Sequence, residues 1–272
     1  MTAPIAREIV AAVSSHAWPL LQPAEVAGAR PPAASGAGRY VRSFLVMRLF
    51  IGGLSVLLPI TLVTLDWWLF DGRPGTHIPR ASESAYYYSG LREVFTITLG
   101  TTSFFLITYK ITEKNLDNLL SLSAGLAGML IPLFPTARPD DIKPPPPLTP
   151  IQHALGEKPT EYIHFGAALV FILCLAGMSV LFGLREGRRG PHGNRIPAWL
   201  WRAFHFTCAG IIVAAVVWVL LTSGTHPVID GPYQSTLIGE WVVATAFGAS
   251  WFLKGAELLY VFGHDEPAPQ TR

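Results

Sequence analysis

An all-helical membrane bundle of six spans is the fold this sequence predicts, on three observations. Only 14% of the 272 residues are Asp, Glu, Lys or Arg, where a chain solvated by water carries about 25%. Those charges fall in clusters, and the segments between them approach the roughly 20 apolar residues needed to cross about 30 Å of hydrocarbon. Two segments, 162–184 and 199–222, have no polar face, whereas helices of a large soluble core show amphipathic stripes and shorter apolar runs.

In chain order, residues 1–42 are rich in Ala, Pro and Gly and lack an apolar run between a basic start and a small-residue cleavage site. They read as a disordered cytoplasmic tail rather than a signal peptide. The alternative is a short interfacial helix through Ile5, Ile9 and Val13. Six spans follow, at about 44–65, 91–109, 118–136, 162–184, 199–222 and 237–260, and then a cytoplasmic tail over 263–272. Orientation comes from lysine and arginine in the short loops, which stay on the cytoplasmic side. The fourth-to-fifth loop holds Arg185, Arg188, Arg189 and Arg195, and the fifth-to-sixth loop has no Lys or Arg. That contrast places both termini inside. Trp67 and Trp68 at the end of span one, Trp199 and Trp201 at the start of span five, and Trp241 in span six are positioned as interfacial belts. The long outer loop at 137–160 carries Pro144 to Pro147, a polyproline stretch expected to act as a stiff spacer. Pro59 and Pro132 fall late in spans one and three, where each removes a helical N–H and frees a carbonyl that needs another donor.

Two cysteines exclude a disulfide-stapled mini-domain and a multi-cysteine zinc module. Cys174 and Cys208, both near mid-membrane, read as buried free thiols. A net charge of +2 without a long basic run excludes nucleic acid as the partner.

An ionisable side chain inside the membrane needs a partner or a cavity. Near the outer surface lie Arg92 and Glu93, Glu161 with His164, and Glu240; near the inner surface lie Arg48, Asp117, Arg202, His205, Lys254 and Glu257. His164 and His205 begin their spans from opposite sides, so they do not share a metal. Ser89, Glu93, Thr96, Gly100 and Ser103 recur at four- and three-residue steps, which puts a polar stripe on one face of span two. Two readings of the outer cluster compete. In the structural one, Arg92 pairs with Glu240 or Glu93 and the stripe packs against span six. In the functional one, Glu93, His164 and Glu240 line an outward pocket for a metal, a proton or a polar head group. One histidine and two carboxylates are donors able to hold a catalytic zinc with a position open for water. Lys254 and Glu257 sit three apart as an inner-boundary pair, and the lysine is expected to snorkel to head groups.

Three segments carry a resemblance: SESAYYYSGLREVFTITLGTTSFFLITYK at 82–110, FPT at 134–136 and EWVVATAFGASWFLKG at 240–255. They resemble a prokaryotic and fungal family of multi-span proteins of unknown function, which shows a Ser-x-Ser-Ala-Tyr-Tyr segment and a Phe-Gly-x-Ser-Trp-x-x-Lys-Gly segment. The resemblance marks Ser84, Tyr86, Tyr87, Tyr88, Arg92, Glu93, Asp117, His164, Glu240, Trp251 and Lys254. More remotely the pattern is similar to the CREST superfamily of seven-span hydrolases and receptors, which includes the alkaline ceramidases. Those hold zinc with a Ser-xxx-His segment, an Asp and a His-xxx-His pair. Here Tyr88 stands four residues after Ser84, and no His-xxx-His occurs.

The functional expectation is a protein of the cell inner (plasma) membrane whose outer polar cluster, Ser84, Tyr88, Arg92, Glu93, His164 and Glu240, binds a lipid head group or small polar ligand. Membrane lipids, and a second copy or another membrane protein, are the expected partners. The alternatives are a metal-dependent lipid amidase or esterase of CREST-like type, with zinc at Glu93, His164 and Glu240, and a small ion- or proton-coupled transporter.

Overall fold

The computed structural model describes residues 36–70, 79–109, 115–139, 142, 144–185, 197–222 and 235–264, with side chains described between Leu45 and Ala256. Residues 1–35 of the expected 1–42 tail, the arginine-rich loop at 186–196, the side chain of Glu257 and residues 265–272 lie outside that description. Among the described residues all regular structure is helical: α1 (Gly36–Phe70), a 3-10 turn (Ser84–Tyr88), α2 (Arg92–Thr108), α3 (Leu116–Leu133), α4 (Pro150–Leu155), α5 (Glu157–Arg185), α6 (Ala198–Thr222) and α7 (Ser235–His264). Helix is the form an apolar chain must take in lipid, because it satisfies every backbone group within the segment.

Five of these helices are long and apolar enough to cross a membrane: Leu45–Phe70, Leu116–Leu133, Glu157–Arg185, Ala198–Thr222 and Ser235–Ala256. This is the makeup of an integral membrane protein. The expected second span differs: α2 has 17 helical residues, about 25 Å at 1.5 Å per residue, and is not among these five. Helix α1 begins at Gly36, inside the stretch expected to be tail. Helix α3 stops at Leu133 rather than 136, because Pro135 has no N–H to continue the ladder.

The six long helices pack as a ring in the order α1, α2, α3, α5, α6, α7, with α7 returning to α1 and touching α5 across the centre. Glycines set the closest approaches. A Cβ on Gly52 of α1 would lie 2.7 Å from the Gly248 carbonyl oxygen of α7, and one on Gly248 would lie 2.7 Å from the Gly52 oxygen. A Cβ on Gly125 of α3 would likewise lie 2.6 Å from the Ser103 backbone oxygen of α2. Where lipid gives helices no hydrophobic reason to associate, such contact between backbones supplies the dispersion energy that holds them.

Two apolar clusters fill the ring. One, around Leu62, Tyr86, Tyr87, Phe95, Ile131 and Leu237, sits at the end carrying the 3-10 turn, called the upper end here. The other, around Ile51, Leu106, Met178, Phe182, Phe247 and Trp251, fills the centre and lower end. Trp67, Trp68 and Trp199 project from helix ends and are more than half exposed, the position of interfacial anchors.

The 137–160 segment is not the plain spacer expected of its proline run. Thr149 and Gln152 form a capping box that starts α4, and Gly156 adopts a φ of 91° between α4 and α5. That left-handed conformation costs an L side chain energy but glycine little. Arg138 donates its backbone N–H and two guanidinium groups to the Glu157 carboxylate at 2.8–3.2 Å, and a third to the Pro146 carbonyl at 3.1 Å. Arg138 and Glu157 thereby tie the two ends of the segment to each other.

Candidate functional site

The 3-10 turn, the end of α3 and the starts of α5 and α7 converge at the upper end. Proline chemistry organises the meeting. The carbonyl of Ile131 would accept a helical bond from residue 135, which is Pro135 and has no donor. His164, in the second turn of α5, fills the gap: Nδ1 lies 3.1 Å from the Ile131 oxygen and 2.9 Å from the Phe134 oxygen. A nitrogen facing two carbonyl oxygens must carry the proton, so Nε2 of the neutral ring is an acceptor. Ser84 Oγ stands 2.9 Å from Nε2, and its hydroxyl is accordingly the donor. Ser84 is 8% exposed and His164 2%.

One residue before Ser84, the backbone N–H of Glu83 donates to Glu240 Oε2 of α7 at 2.6 Å. Glu240 is thereby anchored to the turn, near enough for its charge to act on the Glu83 carboxyl. Burial, then the charge of Glu240, pushes the Glu83 carboxyl well above the usual carboxylate range, since desolvation and like charge both favour the neutral acid. Its Oε1 is buried and has no hydrogen-bond partner among the described residues.

Four residues after Ser84, Tyr88 donates its hydroxyl to the Thr136 carbonyl at 2.6 Å and accepts from Gln152 Nε2 at 2.8 Å. Burial raises its pKa to about 12, so it stays a donor. This contact ties the 137–156 segment to the same turn that carries Ser84 and Glu83. Nearby, Arg80 clasps Asp66 of α1 through two bonds of 3.1 and 3.3 Å, both side chains buried.

The structure brings Ser84, Tyr88, His164 and Glu240 of the expected cluster together and leaves two residues out. Arg92 pairs with neither Glu240 nor Glu93; its guanidinium donates to Tyr87 Oη at 2.5 Å and lies over that ring at 4.2 Å. Glu93 is exposed. The buried face of α2 runs through Phe95, Leu99, Thr102 and Leu106, which turns Glu93 and the open Gly100 away from the core while Ser103 packs against Gly128. Glu93, His164 and Glu240 therefore do not form a ligand set. Among the described residues no three of His, Cys, Asp and Glu are grouped to hold a metal ion, and the donors expected for zinc do not fit it.

At the lower end, Lys254 is not the snorkelling cation expected, being 5% exposed; its neighbour Glu257 lies outside the described side chains. Arg185 pairs with Asp117. Arg48 lies within 5.0–5.7 Å of the ring centres of Tyr109, Phe182 and Trp251. His205 Nδ1 meets Ser250 Oγ at 2.8 Å, both fully buried. Cys174 and Cys208 are free thiols.

Sequence reasoning singled out neither Glu83, Gln152 nor the Arg138–Glu157 pair. A signal for the histidine site was present: prolines at 132 and 135 orphan the carbonyls of residues 128 and 131 in one helix end. The fold and this cluster define a polytopic helical membrane protein with a buried serine–histidine–carboxyl cluster at one end of the bundle. No family model, no curated protein and no solved structure matches the chain.

Proposed function

We propose that the chain is a six-span protein of the inner membrane, both termini cytoplasmic, whose upper end faces outward and binds a lipid head group or small polar ligand. The resemblance to the multi-span family of unknown function is part of the same reading, and its marked residues Ser84, Tyr88, His164 and Glu240 fall in the cluster. The observation that carries the proposal is the Glu240 carboxylate held on the Glu83 backbone N–H beside Ser84, with the buried Glu83 Oε1 left as an acceptor. A buried acceptor without a donor costs about 1–3 kcal/mol, and a ligand supplying N–H or O–H groups offsets that cost. An ammonium or polyol head group has that chemistry. The six-span threading is supported by α2, which bridges α1 and α3 in the ring of long helices.

The test is thermal unfolding of the purified protein in detergent with phosphatidylethanolamine, phosphatidylglycerol and phosphatidylcholine. Ethanolamine and glycerol head groups should raise Tm, and choline, which has no N–H to donate, should not. Glu240→Gln should remove the shift while leaving membrane insertion unchanged. The same shift from all three lipids would refute the head-group reading.

The pH dependence has a definite sign. A carboxyl whose folded pKa is raised binds more protons folded than unfolded, so its stabilising contribution is full below the unfolded value, about 4.3, and is lost as pH rises through the raised folded value. The unliganded protein should thus gain Tm on acidification toward pH 4.5, and Glu83→Gln should flatten that dependence. Ammonium binding favours the ionised pair and should weaken over the same interval.

A further inference from the structure

From the Ser84–His164 geometry we infer that the upper end is a metal-free acyl-transfer site, with Ser84 as nucleophile and His164 as general base, acting on a carboxylic ester presented at the membrane surface. The inference rests on reading this end as a ligand site. Three features carry it. The Oγ–Nε2 distance of 2.9 Å is the reach a general base needs to take a hydroxyl proton. The Nδ1 contacts to the Ile131 and Phe134 carbonyls at 3.1 and 2.9 Å fix the tautomer with Nε2 free to accept, the task given to a carboxylate in serine hydrolase triads. Third, the orienting carbonyls come from a helix end broken by Pro132 and Pro135. Their place in the backbone leaves them no rotamer to adopt and no proton to exchange.

The chemistry balances without any bound metal. Ser84 Oγ forms a bond to the ester carbonyl carbon as its proton passes to Nε2. The C–O bond to the alcohol breaks, and the departing oxygen takes the proton back from Nε2, leaving acyl-Ser84. Water then gives a proton to Nε2 and its oxygen to the acyl carbon, and Ser84 Oγ leaves and recovers that proton. The net products are a carboxylic acid and an alcohol.

Ser84 is mostly covered, so an acyl group reaches Oγ only when neighbouring chain moves.

The experiment treats the full-length protein, in detergent and in vesicles, with an alkyl fluorophosphonate, and locates the adduct by peptide mass mapping. Wild-type protein should carry the tag on Ser84, Ser84→Ala should not be tagged there, and His164→Gln should label at least 100-fold more slowly. If Ser84→Ala does not fold, the wild-type map and the His164→Gln rate decide alone. An untagged Ser84 in protein that still shows its lipid-dependent Tm shift overturns the nucleophile and leaves the binding site standing. A tagged Ser84 in protein indifferent to every lipid sustains the nucleophile and removes the head-group reading. Equal labelling of His164→Gln and wild type also overturns the inference, because a merely structural histidine would leave the rate unchanged.

Discussion

Both ends of the bundle bury a serine beside a histidine, yet the two pairs are held differently. At the upper end His164 is fixed by main chain on one nitrogen and by Ser84 on the other, and Ser84 sits on a short turn outside the long helices. At the lower end Ser250 lies in the middle of α7, and His205 packs edge-on against Phe182 and Phe204 with ring centres 5.7 and 5.4 Å apart. Arg48 lies over the same Phe182 ring, and Arg185, three residues on from Phe182, pairs with Asp117. The lower histidine is enclosed by helices packed against helices, and the upper one meets segments joined by polar bonds. Polar groups locked between long helices fix how the helices sit, whereas polar groups on a turn and a fastened loop have room to meet another molecule. Burial alone does not separate the two pairs; the kind of backbone that carries them does.

The sharpest way to break that contrast is at the ion pair. Arg185→Gln removes the guanidinium that pairs with Asp117, which is 1% exposed, and losing one member of a buried pair costs up to about 3 kcal/mol. Unfolding should report that loss while the lipid-dependent Tm shift survives. If the shift disappears as well, the two ends are coupled and the lower one is more than a scaffold. At the upper end, His164→Phe leaves the Ile131 and Phe134 carbonyls and the Ser84 hydroxyl without their common partner, at about 2 kcal/mol. Here both the stability and the lipid response should fall. A folded His164→Phe protein with an unaltered lipid response would place the ligand elsewhere.

The helical class and the places of the five long apolar helices were legible from charge spacing because lipid imposes the same demand on every segment: apolar side chains and self-satisfied backbone. Helix α6, for instance, spans Ala198–Thr222 against an expected 199–222. Shared depth was legible too, and it placed His164 and Glu240 at one end. Facing was not. Glu93 and Glu240 stand at one level, but whether a residue at the head of α2 points inward depends on how that helix is rotated against α1 and α3. The apolar positions of α2 do not settle this, since Ile97 and Phe104 are as apolar as Phe95 and Leu99 yet exposed. The fastening of 137–156 was hidden for a different reason. A run of four prolines predicts extended chain, while its closure comes from Arg138 to Pro146 and Glu157, and its docking from Gln152 to Tyr88, 64 residues away in sequence.

The smallest expected effect is also the one that most sharpens the reading of the upper end. Glu93→Ala alters an exposed side chain with no ion-pair partner among the described residues, and such substitutions usually fall within about 0.5 kcal/mol of neutral. Stability, lipid response and fluorophosphonate labelling should all match wild type, while Glu240→Gln, at the same level of the bundle, loses the lipid response. A Glu93→Ala protein that loses it too would mean that α2 rotates its polar stripe toward the cluster when ligand is present. The site would then include Thr96 and Gly100 on the next turns of that face. Because side chains at 93, 96 and 100 repeat at helical spacing, Thr96→Val distinguishes that rotation from a long-range charge effect: rotation predicts a loss for both variants, and charge predicts a loss for Glu93→Ala alone.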